Sequence, residues 1–275
     1  MTNKPATREE VAVAVPVDFD PSIGLEDFDV ADVTIPRINL DHKEAVFVDS
    51  MTGEQYEHLD VVILGLVKQR ILWGVDVDEG EGPLCRSNDF NTGIPFVRDF
   101  PWKASKFEQP EGTDAALDCA ACPLKEWGSH PQGDKPWCTE QYTLILAIPF
   151  GESYSPALIT FQRSAVKSTK TYISAFARTR QPMFTANTRI SLTQNKKGSV
   201  LYSIPSFQKL SATDESMWPD FAEQYRRIRE WVQTPRSKDE KPAIEASASQ
   251  SKPSSQSKPA AAAPIDSFDD DEIPF

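Results

Sequence analysis

All four cysteines of the chain lie in one loop-rich segment, residues 82–138, which also contains many Pro and Gly residues. Apolar runs of strand length lie on either side of it, at Val61–Val67 and Tyr142–Ile148. The segment between them offers little apolar surface to bury. The sequence therefore predicts a β-rich body interrupted by an insertion that needs a stabilising element of its own.

The spacing of the cysteines predicts a structural zinc site. Cys119 and Cys122 form a C-x2-C pair, and Cys85 and Cys138 complete the four thiolates of a closed tetrahedral site. A closed site leaves no coordination position for catalysis. Two alternatives are four unrelated thiols and a redox C-x-x-C pair, although no βαβ pattern surrounds the pair. His130 is an alternative ligand.

Apolar periodicity predicts a fold that is mainly β with a few helices. We expect strands at 61–67, 71–75, 142–148 and 156–162, a helix at 164–180, a hairpin of strands 189–193 and 199–204, and a helix at 219–233. The last helix carries apolar residues at spacings of four, three and four. Strand runs thus outnumber helical ones in the body.

Composition divides the chain into a folded body and two tails. The net charge is −12, but residues 1–35 and 237–275 contribute −6 and −4 of it. We divide the chain into a flexible acidic arm (1–34), a domain (35–234) that contains the cysteine insertion (82–138), a disordered linker (235–265) and an acidic tip (266–275). No signal peptide or membrane-spanning run is recognisable, and a cytoplasmic protein is expected.

The body contains a long window without acidic residues. Between Glu152 and Asp214 there are 61 residues with no Asp or Glu and with nine basic side chains. Lys and Arg without neighbouring carboxylates favour binding to phosphate backbones. The basic residues are Arg163, Lys167, Lys170, Arg178, Arg180, Arg189, Lys196, Lys197 and Lys209.

Aromatic residues interleave with these cations, which is typical of proteins that bind single-stranded nucleic acid. The candidate stacking residues are Tyr172, Tyr202 and Phe207, with Trp73 outside the window. The alternative for any one ring is a place in the core, and for the cations a solvated surface. No nucleophile, phosphate-loop or dinucleotide motif is present, so the sequence predicts a binding protein and not an enzyme.

The tip carries a recognisable motif. Asp269, Asp270, Asp271 and Glu272 precede a terminal Ile273-Pro274-Phe275. This ending resembles the C-terminal tip of bacterial single-stranded DNA-binding proteins (SSB), with Glu272 as an insertion. The body does not resemble the standard bacterial SSB, but its Ile35-Pro36-Arg37 start is similar to uncharacterised bacteriophage proteins.

The SSB resemblance implies a fold and a set of partners. It implies an OB-fold-like barrel, with the cysteine segment as a zinc-binding insertion. It also implies that Phe275 and Pro274 anchor the tip in an apolar pocket of replication or repair proteins, while the acidic residues steer it to a basic rim. We therefore expect a phage-encoded protein that binds single-stranded DNA in replication, recombination or repair.

Other interpretations remain open at the level of sequence. The chain could be an adaptor that mimics the host SSB tip to recruit or block repair proteins without binding DNA. The tip could also serve only as a solubility tail. A zinc-containing nuclease is a third alternative, but it would need a carboxylate cluster that the sequence does not show. The oligomeric state is not fixed, and an oligomer is compatible with the sequence.

Overall fold

The computed structural model describes residues 34–75, 82–96, 116–151, 153–198 and 200–234. These residues form a mainly β fold with two α-helices, as predicted. The strands are β1 (Arg37–Asp41), β2 (Val46–Asp49), β3 (Gln55–Tyr56), β4 (His58–Leu72), β5 (Cys85–Ser87), β6 (Thr92–Pro95), β7 (Leu117–Asp118), β8 (Cys138–Phe150), β9 (Ser153–Gln162), β10 (Ala186–Lys197) and β11 (Val200–Ala212). The helices are α1 (Ser164–Thr179) and α2 (Trp218–Gln233).

The strands join in one sheet organised around β4. The order along the sheet is β3-β2-β1-β9-β8-β4-β5-β6-β7, and β10 also pairs with β4 and carries β11 on its other side. β4 pairs with β10 through His58–Val62 and with β8 through Val62–Leu72, and its last residues, Arg70–Leu72, also pair with β5. Nearly all pairs are antiparallel, but β1 and β9 run parallel.

Both faces of β4 are apolar because both are covered. Leu59, Val61 and Ile63 contribute to one core, while Val62 and Leu64 contribute to a second core on the opposite face. A strand buried on both sides reads as a continuous apolar run and not as an alternating one. A register irregularity between Ile63 and Gly65 bends the strand at this point.

The two helices cover opposite faces of the sheet. On one face, α1 packs Ala165, Tyr172 and Ile173 against the core that includes Phe47 and Phe161. On the other face, α2 packs against the second core through Phe221, Ile228 and Val232. Each helix has 16 residues, and no described helix is long and apolar enough to cross a membrane.

The structure corrects two details of the expected fold. A separate strand at 71–75 was wrong, because β4 keeps its register with β8 through Lys68–Leu72 and makes one strand of 15 residues. The sheet formed by the described residues is not closed into a barrel. The predicted helices and the 189–204 hairpin are confirmed, although both hairpin strands extend beyond the predicted limits.

Candidate metal centre and nucleic-acid interface

The sheet brings the four cysteines together although they span 54 positions of sequence. Cys85 begins β5 and Cys138 begins β8, and the two residues lie on either side of Leu72 of β4. Cys119 directly follows β7, and Cys122 precedes a short 3-10 turn. All four are free thiols that line one cavity.

The cavity is small and closely surrounded by sulfur. Its volume is about 20 Å³, which is enough for a single water-sized occupant. Gly93 lies beside it, and a Cβ at that position would come within 3.1 Å of Cys85 Sγ and 3.4 Å of Cys119 Sγ. Any larger residue at position 93 would therefore press on both sulfurs.

Burial keeps these thiols protonated in the absence of a cation. It raises the pKa of Cys138 to about 12, against a smaller opposing effect of Arg70. Burial also raises the pKa of Cys85, Cys119 and Cys122, and repulsion between the sulfurs adds to the effect at Cys85. Thiols respond in this way when a charged thiolate would lack compensation.

The charged residues of the cavity wall have the sign that a thiolate cluster needs. Arg70 and Lys125 line it, and none of the carboxylates that the structure describes does. A divalent zinc with four thiolates has a net charge of −2, which two such cations would offset. The described side chains nevertheless contain no group of three or more His, Cys, Asp or Glu already arranged to hold a metal ion.

The wall of the cavity is fixed by hydrogen bonds of the loop that follows Cys122. Ser129 Oγ donates to the Leu124 carbonyl at 2.8 Å and accepts from the Trp137 backbone N–H at 2.9 Å. The indole of Trp137 donates to the Trp73 carbonyl at 2.9 Å. His130, the alternative ligand, does not line the cavity, and its Nδ1 accepts from the Gln132 backbone N–H.

A basic stripe runs along the exposed side of α1. The buried residues of this helix lie on one side. Helical geometry places Lys167 and Arg178 together on the opposite side, with Lys170 at the edge of the stripe that faces β8. Arg163 and Arg180 flank the helix, and both have a φ of 54°. All five cations are exposed, and the first turn contains no acidic residue.

Some of the predicted cations already have partners. Arg189 donates two hydrogen bonds to Asp60, from Nε to Oδ1 at 2.7 Å and from Nη2 to Oδ2 at 2.5 Å. These bonds also lower the pKa of Asp60. Lys170 forms an ion pair with Glu140 at 3.2 Å. Lys209 of β11 lies over the Phe176 ring, and Lys196 is exposed near the hairpin end. The side chain of the remaining predicted cation, Lys197, lies outside the described residues.

The predicted stacking rings are largely engaged inside the protein. Tyr172 stacks on Phe207 with a centroid distance of 5.0 Å, and its hydroxyl bonds to Thr188 Oγ1. Tyr202 and Trp73 are half-buried. The arm 1–33, the linker and the whole tip with Asp269, Asp270, Asp271, Glu272, Ile273, Pro274 and Phe275 lie outside the described residues.

Sequence reasoning missed several exposed or cationic residues near the cysteine segment. Lys68 and Arg70 of β4 lie against Phe90, with Arg70 4.2 Å from the ring centroid. Trp127 is 64% exposed in the loop after Cys122. Lys68 and Arg70 lie outside the acid-free window, so charge counting along the chain does not select them.

No protein family, curated protein or solved structure matches this chain.

Proposed function

We propose that this chain is a non-enzymatic, sequence-independent single-stranded DNA-binding protein that acts in DNA replication, recombination or repair. The observation that carries the proposal is the basic stripe of α1. Lys167 and Arg178 form no ion pair among the described residues. A helix of 16 residues is about 24 Å long, so the stripe spans several phosphates of an extended strand.

The order of the strands supports an OB-like body. Five strands follow one another along the chain as β4, β8, β9, β10 and β11, and the helix α1 lies between the third and the fourth of them. Across the sheet their order is β9-β8-β4-β10-β11, which is third, second, first, fourth, fifth. This is the strand order of an opened OB-fold. The β1–β2 turn also reaches the hairpin, where His42 Nδ1 accepts from the Ser203 backbone N–H at 3.1 Å.

A structural zinc at the four cysteines is part of the proposal. Supporting it are the shared cavity, its size and its two cations. Zinc binding would displace the thiol protons and draw the sulfurs to about 2.3 Å from the ion. Elemental analysis of purified protein should give one zinc per chain. It should give none for Cys122→Ser, while His130→Ala serves as the control that keeps its zinc.

The tip is proposed to recruit replication or repair proteins, and this depends on its resemblance to SSB tips. The competing adaptor function, without DNA binding, can be separated by removing Ile273–Phe275. Both functions predict that partner binding is lost. DNA binding by the truncated chain would favour the first, and its absence in both the intact and truncated chains would favour the adaptor.

DNA binding itself is tested by fluorescence anisotropy with a labelled oligo-dT and a duplex of equal length. Single-strand binding should be tighter than duplex binding and should weaken as salt rises. Lys167→Gln and Arg178→Gln should each lower the salt slope by about 0.7. Arg227→Gln, at an exposed cation of α2 on the other face of the sheet, is the matched control. Equal affinity for duplex, or no salt dependence, would overturn the proposal.

A further inference from the structure

Cations and aromatic rings alternate across the sheet between α1 and the cysteine segment. Lys170 of α1 lies 5.3 Å from the centroid of Tyr142, and Lys68 of β4 lies 5.5 Å from the same ring. Lys68 also lies 5.7 Å from the centroid of Phe90, and Arg70 lies 4.2 Å from it. Lys170 belongs to the basic stripe, so this row continues the stripe toward the cysteines.

Phe90 is held in a backbone conformation that bulky residues rarely adopt. Its φ is +72°, in the left-handed region that favours glycine. The preceding Asp89 fixes the turn, because its Oδ1 accepts from the backbone N–H groups of Asn91 at 2.8 Å and Thr92 at 2.7 Å, and from Ser87 Oγ at 3.0 Å. Strain of this kind persists where the surroundings impose it, and it is concentrated at functional positions.

The conformation leaves the Phe90 ring half-exposed, with one cation close to it on β4. Tyr142 is only 2% exposed and therefore forms the floor of the row. Of the carboxylates that the structure describes near the row, Glu140 pairs with Lys170, and Asp89 accepts hydrogen bonds within its turn. Lys68 and Arg70 have no ion-pair partner in the part of the chain that the structure describes.

We infer that Phe90 and Lys68 form a second contact for single-stranded DNA, in which Phe90 stacks on a base, Lys68 contacts an adjoining phosphate and Arg70 supports the ring. This inference rests on the proposed function and extends the path of the strand beyond α1. Rings that stack on bases beside cations that follow the backbone are the arrangement used for sequence-independent binding. The guanidinium of Arg70 packs on one face of the Phe90 ring and keeps the ring in place.

The substitution Phe90→Gly tests the role of the ring without disturbing the backbone of the turn. Glycine accepts the positive φ without strain, so the variant should keep or raise its melting temperature. It should nevertheless bind full-length oligo-dT about 5- to 160-fold more weakly, the effect of losing one stacked base. Phe90→Tyr keeps a ring and should bind like wild type. Phe150→Ala removes a ring that is 72% exposed on the β8–β9 turn and is the matched control.

A second measurement tests the cation. Lys68→Gln should reduce the salt slope of binding by about 0.7, while Arg227→Gln leaves it unchanged. If wild type does not bind oligo-dT, the proposed function falls and takes this inference with it. If wild type binds and Phe90→Gly and Lys68→Gln bind equally well, only the second contact is overturned.

Discussion

The substitution Gly65→Ala tests how α2 docks on the sheet. Gly65 lies at the bend of β4, and the ring of Tyr225 from α2 lies directly on its Cα. A Cβ at position 65 would come within 2.1 Å of Tyr225 Cε2, so the ring must retreat by about 1.3 Å to reach the ordinary contact distance of 3.4 Å. Glycine is required here by close approach and not by its backbone angle.

The size of the effect depends on which part of α2 yields. Complete undocking would expose Phe221, Ile228 and Val232, at about 1.5–3 kcal/mol for each side chain. Overpacking a core without undocking costs about 1–3 kcal/mol in total. The protein should take the response with the lower free-energy cost, so the Tyr225 ring shifts and α2 stays docked. We expect the melting temperature to fall by roughly 2–10 °C.

Thermal and urea unfolding of the full chain measure this loss. Gly82→Ala is the matched control, because a Cβ at position 82 meets nothing within 4 Å. The double variant Gly65→Ala/Tyr225→Ala should be more stable than the sum of the two single losses predicts, by about 1 kcal/mol or more. A Gly65→Ala protein as stable as wild type, or strictly additive losses in the cycle, would refute this account of the docking.

The structure supports two further predictions, and the acidic tip of the sequence supports a third. Asp60→Asn should destabilise the protein at neutral pH: the bonds from Arg189 lower the folded pKa of Asp60 below 3.8, so the contribution of Asp60 is fully present above the unfolded pKa and is lost as pH falls through the folded pKa. Urea unfolding should show the full difference in stability between wild type and Asp60→Asn at neutral pH, and the difference should shrink as the pH is lowered below about 4. Gly93→Ala should reduce zinc content by crowding the cysteine sulfurs, measured against Gly82→Ala. Removal of 266–275 should tighten oligo-dT binding if the acidic tip competes for the basic stripe, and unchanged affinity would make the tip a tether alone.

The regular elements of the body could be predicted because their signals are local. The stripe of Phe221, Ile228 and Val232 repeats with helical period, and Val61–Val67 is apolar throughout. The extension of β4 to Leu72 could not be predicted, because Lys68–Arg70 look like a break until β8 is known to pair with them. An isolated sequence carries no record of which strand will satisfy its backbone.

The candidate site could be predicted only in part, because contacts between distant segments are not visible in the sequence. The cysteine spacing suggested one shared site, and the structure places all four thiols around one cavity. Aromatic residues in the basic window could not be divided into surface and core from sequence, and Tyr172 and Phe207 stack on each other. Phe90 escaped notice because nothing in Asn88–Thr92 marks a positive φ at a phenylalanine.

Arg70 connects the proposed metal centre with the proposed DNA contact. Its guanidinium lies over the Phe90 ring, and the same side chain lines the cysteine cavity and opposes the effect of burial on the pKa of Cys138. Phe90 itself lies on the loop between Cys85 and Cys119. An ion at the cysteines would add negative thiolate charge beside Arg70 and would fix both ends of that loop. β4 is one continuous strand from the core covered by α2 to Arg70 and Leu72, so the insertion extends the main sheet. The proposed metal would therefore act on DNA binding through the orientation of Arg70 and Phe90.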